Sequence, residues 1–463
     1  MRGPDYLVAF CTPLQLKNNL VEKLRENFRL SLSNNISSDL PVHLKKILPS
    51  ASKEFLEWLV GFTDAEGTFY IAPEKIWTFV SLIFSIEVHI DDLEILHKIA
   101  KILGIGVIKI SKTRPSAIFY VQKFEDITSV IIPIFKEFPL QTTKYLDFTC
   151  FRDAALIKLN SKGIYRGRIS YTNFSKADLV KLKKLKECMN SGRLVIRPKQ
   201  EKLLKDKVSI NKWWLLGFVE GEGTFGYRHM VPYFQIAQNL KNLFVLEAIE
   251  GYMLNTFKLS SSQKVFNRYL NKGTGVYSLV IYTVDINFYY LLPFFESMTF
   301  FSRKNIDYLY WVIVVIIHKL GYYYLPEGKK MALEISSATN KYRYTTNNLR
   351  KFELPSTESI SKLFSQTPPF DISTGSNHLE LAKKFTITKG GRKGFTVYIY
   401  EVISHKYKEL KNSPFSTYGE GHEVLGLRRG SRVIGRYIDT GKKYKDKYIF
   451  SSIPLEVNEL VRK

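Results

Sequence analysis

The sequence predicts an α+β protein made of two pseudo-symmetric αββαββα repeats with antiparallel sheets, followed by a small helix-turn-helix-like module. The first observation is a duplicated motif: residues 59–67 read LVGFTDAEG and residues 215–223 read LLGFVEGEG. The second is that the same succession of strand-like and helix-like patterns follows each copy. The third is a separate, strongly basic segment at the end of the chain. Antiparallel strands that are grouped together, with helices placed between the groups, favour the α+β class.

Each repeat opens with an apolar helix that ends in the duplicated motif, EFLEWLVGFTDAEG in the first copy and WWLLGFVEGEG in the second. Two segments rich in β-branched and aromatic residues follow, then a helical segment, weaker strands and further helices. In the first repeat these segments are residues 68–72, 78–90, 91–104, 107–111, 117–121, 127–138 and 144–159. In the second they are residues 224–228, 232–240, 240–253, 277–282, 286–296 and 303–320.

Changes in composition predict five regions along the chain. We expect an N-terminal extension over residues 1–50, the first repeat with a charged connector over 51–205, and the second repeat over 206–353. Enrichment in Ser, Thr and Pro predicts a linker over residues 354–394. The basic C-terminal module is expected over residues 395–463.

The overall composition restricts the class of partner. The chain has 463 residues and a net charge of +25, with 68 Lys and Arg against 43 Asp and Glu, which favours a polyanion such as nucleic acid. Its three cysteines are far apart, so they indicate neither a disulfide framework nor structural zinc. The longest apolar run, residues 308–317, is about half the length of a bilayer-spanning helix, so we expect no membrane partner.

The duplicated motif predicts two helices in close contact. Glycine inside a helix is destabilising by about 0.5–1 kcal/mol relative to alanine, so Gly61 and Gly217 indicate positions where another helix approaches closely. We expect Gly67 and Gly223 to end their helices in the left-handed conformation.

Such packing would bring the carboxylates of Glu66 and Glu222 together at the negative ends of two helix dipoles. Two carboxylates there repel one another unless cations intervene, and oxygen ligands of this kind suit Mg²⁺ that also holds a phosphate. The pattern therefore predicts a metal-dependent phosphodiesterase centre on a pseudo-twofold axis.

The two motifs resemble the signature helices of the LAGLIDADG homing endonucleases, in the single-chain form with two repeats. Four further segments are similar to fungal organellar intron-encoded members: FSIEVHIDDLEIL (84–96), LGIG (103–106), PLQTTKYLDF (139–148) and NKYRYTTNN (340–348). The resemblance implies a monomeric, site-specific endonuclease that cuts both strands of a long, asymmetric DNA target in intron homing. It also implies a mitochondrial location and two or three Mg²⁺ ions, for which Mn²⁺ can substitute.

The resemblance also assigns catalytic residues. Glu66 and Glu222 match the acids that bind metal, and the backbone carbonyls of Ala65 and Gly221 match the additional metal ligands. The other acidic residues of the motifs, Asp64 and Glu220, take a supporting role.

Three polar side chains complete the catalytic assignment. Lys144 and Lys304, at the start of the last helix of each repeat, match a basic residue beside each scissile phosphate. Gln238 matches a residue that orients water, but its counterpart in the first repeat is Val88. We therefore expect the two strands to be cut unequally.

Sheets of this kind can enter the major groove, where base edges differ between all base pairs. Alternation places Phe69 and Ile71 on the core side of the first sheet. The predicted DNA contacts on the outer face are Tyr70, Ser81, Ser85, Lys109, Arg228 and Gln235.

Residues 395–450 resemble the nuclease-associated modules that follow homing endonucleases, and predict a β-hairpin followed by a helix-turn-helix. Arg432 and Arg436 lie one helical turn apart, and Lys442 and Lys443 are expected to contact phosphates.

Two alternatives to the nuclease remain open at this point. A maturase on the same scaffold would bind a group I intron RNA, because a basic, aromatic-rich surface also suits RNA. A transcriptional regulator is the third possibility, and the intact acidic pair argues against it.

Overall fold

A computed structural model describes residues 40–73, 80–165, 168–193, 195–260, 263–340, 353–388, 396–403 and 406–455. Most of the predicted N-terminal extension and of the segment 340–348 lies outside these residues, as do positions 389–395 of the linker and module.

The first repeat has the predicted order of helices and strands. A short helix that was not predicted, α1 (Val42–Ile47), precedes the repeat, whose helices are α2 (Lys53–Glu66), α3 (Leu93–Leu103), α4 (Phe124–Asp126), α5 (Ile132–Glu137) and α6 (Lys144–Asn160). A π-helical turn, Ile127–Ile131, joins α4 to α5. Its strands are β1 (Gly67–Pro73), β2 (Val80–His89), β3 (Val107–Ile110) and β4 (Ser116–Val121), which form an antiparallel sheet in the order β1-β2-β4-β3.

The connector contains a hairpin and two helices. The hairpin, β5 (Lys162–Tyr165) and β6 (Arg168–Tyr171), was not predicted. The helices are α7 (Lys176–Glu187) and α8 (Pro198–Lys207). Ser175 begins α7 with a capping box, since its hydroxyl accepts a hydrogen bond from the backbone of Asp178.

The second repeat has the same architecture. Its helices are α9 (Lys212–Glu222), α10 (Leu243–Thr256), α11 (Val284–Ile286), α12 (Leu292–Glu296) and α13 (Lys304–Lys319). Its strands are β7 (Gly223–Arg228), β8 (Val231–Asn239), β9 (Asn267–Asn271) and β10 (Val276–Ile281), in the sheet order β7-β8-β10-β9. The predicted α+β class and the two repeats are therefore confirmed.

Aromatic side chains join each sheet to the helices that cover its inner face. The ring of Phe69 on β1 lies 5.2 Å from the ring of Phe84 on β2 and 5.3 Å from Phe135 on α5. In the second repeat Phe225 lies 5.4 Å from both Phe234 and Phe295. Such ring pairs add packing energy to the burial of apolar area, and they leave the opposite face of each sheet uncovered by this core.

The described chain after α13 forms three helices, followed by a module of a small sheet and two further helices. The helices are α14 (Pro326–Ala338), α15 (Thr357–Phe364) and α16 (His378–Thr388). The module contains β11 (Tyr398–Ile403), β12 (Lys406–Glu409), α17 (Tyr418–Val424), α18 (Val433–Tyr437) and β13 (Tyr448–Ser451), with the sheet order β12-β11-β13. The predicted hairpin and two helices are present, but α18 has only five residues and the third strand was not predicted.

The described residues fall into two compact units. The larger lies within Leu30–Phe225 and Tyr233–Tyr308, and the smaller within Gly226–Pro232 and Leu309–Lys463. The boundaries predicted from composition therefore stay predictions. In the described part of the chain, no helix is both long enough and apolar enough to cross a bilayer.

Candidate active site

Two helices, α2 and α9, meet where their glycines face one another. Both begin with a side-chain cap: Ser52 accepts from the backbone N–H of Phe55 at 3.1 Å, and the equivalent cap of α9 is 2.8 Å long. A Cβ added to Gly61 would lie 2.0 Å from the Trp214 carbonyl oxygen, and one added to Gly217 would lie 2.0 Å from the Trp58 carbonyl oxygen. The prediction of close packing is confirmed, and no larger residue fits at either glycine.

The glycines that end these helices have a different role from the predicted one. Gly67 and Gly223 have φ angles of −79° and −75°, so the prediction of a left-handed residue was wrong. Both belong to the strands that follow. An added Cβ at Gly67 would lie 2.5 Å from Thr63 Cγ2, and one at Gly223 would lie 2.6 Å from Val219 Cγ1. Glycine is needed there because each strand leaves its helix in close contact with the preceding turn.

Glu66 and Glu222 are the last residues of α2 and α9, and the packing brings them together at one end of the seam. A Cβ added to Gly221 would lie 3.2 Å from Glu66 Oε1, so the carboxylate of one repeat contacts the helix end of the other. Burial and the nearby charge of Glu222 raise the pKa of Glu66, while Lys144 and Lys304 lower it. Burial also raises the pKa of Glu222.

The donor set at this seam fits a hard divalent cation. Gly221 leaves space beside Glu66 Oε1 that a Cβ would fill. The carbonyl of Ala65 already accepts a hydrogen bond from the Lys144 ammonium at 3.1 Å, so a positive charge is accommodated there. No cluster of three or more His, Cys, Asp or Glu residues suited to metal occurs among the described residues. The protein therefore offers two carboxylates and backbone carbonyls, and water and phosphate oxygens would complete the coordination of a hard divalent cation.

Asp64 is a buried hydrogen-bond acceptor that holds the segment before α6. Its carboxylate accepts from the backbone N–H groups of Gln141 at 2.7 Å and Thr142 at 3.1 Å, and from the Thr142 hydroxyl at 2.6 Å. Trp214 of the other repeat donates its Nε1–H to Asp64 at 2.9 Å. Burial raises the pKa of Asp64, and these donors oppose the shift.

Glu220 makes the equivalent contacts in the second repeat. It accepts from the backbone N–H of Phe301 at 3.0 Å and of Ser302, ahead of α13, and from Trp58 Nε1 at 2.8 Å. The supporting role assigned to both acids thus has a structural counterpart. The role of the two tryptophans was not predicted, although one stands directly before each duplicated motif.

Lys144 and Lys304 are the first residues of α6 and α13 and lie beside the acidic pair. Lys144 Nζ donates to the Thr63 carbonyl at 2.9 Å as well as to that of Ala65, and Lys304 Nζ donates to the Gly223 carbonyl at 2.8 Å. Burial lowers the pKa of Lys144, and the surrounding carboxylates oppose that shift. The structure therefore brings both lysines to the helix ends that carry the glutamates.

Gln238 on β8 hydrogen-bonds to Glu222, a contact that was not predicted, and its role in orienting water stays a prediction. The Asn242 side chain donates to Gln238 Oε1 at 2.8 Å and accepts from the backbone N–H of Thr143 at 3.0 Å. In the first repeat Asp92 occupies the equivalent position and accepts from the backbone N–H of Arg303 at 3.0 Å. Neither Asp92 nor Asn242 was predicted as a site residue, and each connects its repeat to the other.

The predicted DNA contacts lie on strands of the two sheets. Tyr70 is 43% exposed, and Lys109 Nζ lies 4.8 Å from the ring centre of Tyr120. None of the six side chains is buried: Tyr70, Ser81, Ser85, Lys109, Arg228 and Gln235.

In the C-terminal module all four predicted basic contacts are exposed: Arg432, Arg436, Lys442 and Lys443. The buried His422 joins α17 to α18, because its Nε2 accepts from the backbone N–H of Ile434 at 3.1 Å.

The model of the LAGLIDADG endonuclease family matches residues 59–155 and 215–315, which are the two repeats. Both repeats belong to the LAGLIDADG endonuclease family. The predicted resemblance is thereby confirmed, and the seam between α2 and α9 is formed by the two LAGLIDADG helices.

Relatives of this LAGLIDADG protein occur in fungi. The mitochondrial protein RF1 of Saccharomyces cerevisiae is 26% identical over 87% of this chain and 82% of its own length. The probable intron-encoded endonuclease Cox1-I1b of Schizosaccharomyces pombe is 30% identical over 44% of this chain and half of its own length. The solved LAGLIDADG homing endonuclease I-GzeII, in complex with a DNA target, is 25% identical with a TM-score of 0.50, covering 62% of this chain and 99% of its own. The predicted mitochondrial location is confirmed by these relatives.

Proposed function

We propose that the chain is a site-specific DNA endonuclease that hydrolyses one phosphodiester bond in each strand of a long, asymmetric duplex target and acts in intron homing. The observation that carries this proposal is the paired site. Glu66 and Glu222 converge at the seam of two packed helices, and each helix end is contacted by a lysine, Lys144 or Lys304. Two related centres on a pseudo-twofold axis suit the two antiparallel strands of one duplex.

Divalent metal is the cofactor that this donor set favours, and we propose two or three Mg²⁺ ions, replaceable by Mn²⁺. Glu66, Glu222 and the carbonyls of Ala65 and Gly221 would hold them. When bound, such ions neutralise developing charge on a phosphate and lower the pKa of water. Between them, the two glutamates supply the negative charge that selects a divalent ion over an ammonium.

The remaining residues of each centre position groups and supply charge. Lys144 and Lys304 place ammonium groups where negative charge develops on a scissile phosphate. Gln238 holds the Glu222 carboxylate and orients water in the second centre, whereas Val88 offers no hydrogen bond in the first. We therefore propose that the strand beside Glu222 is cut faster.

Recognition of the target would use the two sheets and the C-terminal module. The exposed faces of the sheets carry Arg228 for guanine and Gln235 for adenine in the major groove. Tyr70, Ser81, Ser85 and Lys109 would contact the other half-site. The module would add phosphate contacts from Arg432, Arg436, Lys442 and Lys443, and the net charge of +25 supports such binding.

The test uses the full chain with Mg²⁺ and plasmids that carry intronless mitochondrial genes of the host. Glu66→Gln and Glu222→Gln are compared with Glu201→Gln, which changes an exposed glutamate of α8. We expect cleavage of one plasmid at a single site, a loss of at least about 100-fold in either active-site variant, and no loss in the control.

Two results would contradict this proposal. If no plasmid is cut while the protein binds a group I intron transcript tightly, the maturase alternative replaces the nuclease. Full activity in both glutamine variants would show that Glu66 and Glu222 do not form the catalytic centre.

A further inference from the structure

The connector between the repeats makes a buried ion pair with α6. Arg193 follows α7, and its Nη2 lies 2.7 Å from Asp147 Oδ1, with the two side chains only 10% and 9% exposed. Arg193 Nη1 also donates to the Thr143 carbonyl at 3.3 Å. Separating a buried ion pair leaves each charge without compensation, which is strongly unfavourable. The pair therefore holds both side chains in place.

The segment that carries Arg193 is itself anchored at two points. The backbone N–H of Asn190 donates to Asp147 Oδ1 at 2.9 Å, and the Asn190 side-chain amide donates to the Phe69 carbonyl at 2.9 Å. Phe69 is part of β1, which directly follows the first LAGLIDADG helix. The connector is therefore attached to both elements that flank the first catalytic centre, and Arg193 is not a mobile surface arginine.

In the sequence, Lys144 lies between the two residues that Arg193 contacts. Thr143 precedes this lysine, and Asp147 follows it by three residues on the same side of the helix. The ammonium of Lys144 in turn reaches the carbonyls of Thr63 and Ala65 at 2.9 Å and 3.1 Å. A displacement of the first turn of α6 would thus move this ammonium away from the helix end that carries Glu66.

We infer that Arg193 is a positioning residue for Lys144, and that the connector thereby completes one of the two cleavage centres. The inference rests on the proposed function, in which each lysine serves one scissile phosphate. Arg193 contacts Thr143 and Asp147, both in the first repeat, whereas Lys304 contacts the carbonyl of Gly223 in the second. Loss of Arg193 should therefore slow one strand and spare the other, which a general loss of stability would not do.

The experiment measures single-turnover cleavage of each strand of a duplex target labelled at either 5′ end, with the full chain and Mg²⁺. Lys144→Ala and Lys304→Ala first identify which strand each lysine serves. Arg193→Met, which removes the charge but keeps the apolar stem, is then expected to slow only the Lys144 strand. We expect a loss of about 10-fold to 100-fold, because small displacements of a reacting group have effects of this size. Nicked plasmid should accumulate, and affinity measured without metal should change less than about twofold, since no proposed DNA contact is removed.

Two further variants serve as controls. Lys202→Met removes an exposed positive charge from α8 and should leave both strand rates unchanged. Arg193→Lys keeps the charge and is used under the same criteria if Arg193→Met does not fold. It should also slow only the Lys144 strand, by a smaller factor, because an ammonium lacks the fork that reaches Asp147 and Thr143 together.

Equal slowing of both strands, slowing of the Lys304 strand, or unchanged rates in the Arg193 variants would overturn the inference. A wild-type protein that cuts neither strand would instead contradict the proposed function.

Discussion

The acidic residues of the two motifs divide into two kinds according to their surroundings. Glu66 and Glu222 remain partly accessible at the seam, whereas Asp64 and Glu220 are buried among hydrogen-bond donors. A carboxylate that accepts several donors in a dry environment stabilises its surroundings, since each donor would otherwise lack a partner. The buried pair thus holds the segments that precede Lys144 and Lys304, and the accessible pair is the one proposed to bind metal.

Trp214→Phe tests this structural role. The change removes the donor to Asp64 but keeps a ring to stack on Phe218, which lies 4.8 Å away. We expect the free energy of unfolding to fall by about 1–2 kcal/mol in urea denaturation, because one hydrogen bond to a buried carboxylate is lost. The neighbouring Trp213→Phe, at a half-buried position, should change it by less than about 0.5 kcal/mol. Equal effects of the two changes would refute the assignment.

Gln238→Val tests the asymmetry between the two centres. The change gives the second repeat the residue that stands at position 88 in the first and removes the hydrogen bond to Glu222. We expect the faster strand to slow by about 10-fold, as is usual when a residue that supports a metal ligand is lost. The measurement is the rate of each strand on a labelled duplex. Unchanged rates would show that Gln238 does not act on Glu222.

At the scale of elements, the packing of α2 against α9 depends on the absence of side chains. At Gly61 and Gly217 the other helix presents its backbone, which has little freedom to move aside. Because the two helix backbones touch at these glycines, the C-terminal ends of α2 and α9 can converge.

Gly61→Ala should therefore lower the free energy of unfolding by about 3 kcal/mol, because the added Cβ would lie 2.0 Å from a backbone oxygen. Gly251→Ala, inside α10, is the matched control: its Cβ would meet no atom within 4 Å. The control should stabilise the protein by about 0.5–1 kcal/mol through helix propensity. Denaturant unfolding compares the two, and a destabilised Gly251→Ala with an unaffected Gly61→Ala would contradict the packing argument.

The order of elements and the acidic centre were predictable because they depend on local patterns that occur twice. Gly61 and Glu66 lie within a repeated nine-residue motif, and the helices have clear apolar spacing. The conformation of Gly67 was not predictable, since close contact with the preceding turn, rather than left-handed geometry, requires glycine there. The contacts of Asn242 with Thr143, 99 residues away, and of Arg193 with Asp147, 46 residues away, were also missed, because only folding brings these residues together.

A buried ionisable group makes the stability of the folded protein depend on pH. His318, in the last turn of α13, is buried with its Nε2 2.9 Å from the Met230 carbonyl, which requires a proton on that nitrogen. Burial lowers the pKa of His318 from 6.5 to about 3. Below pH 6.5 the unfolded chain binds a proton at this site that the folded chain does not, so stability present above that pH is lost as the pH falls toward 3.

His318→Gln should reduce this dependence. The wild-type free energy of unfolding is expected to fall more steeply than that of the variant between pH 6.5 and 3, by up to about 1.4 kcal/mol per pH unit. Denaturation in urea at several pH values measures both slopes. Parallel slopes would show that His318 does not remain neutral in the folded protein.

The hydrogen bonds from Trp58 to Glu220 and from Trp214 to Asp64 cross between the repeats, so each repeat needs the other to satisfy its buried polar groups. A polypeptide severed between α8 and α9 would yield two fragments, each with a buried acid short of one donor and an indole short of its acceptor. Co-expressed, the fragments have every reason to reassociate, since only the other fragment supplies those missing partners. The connector thus keeps the two repeats close together, while the crossed hydrogen bonds make their pairing specific.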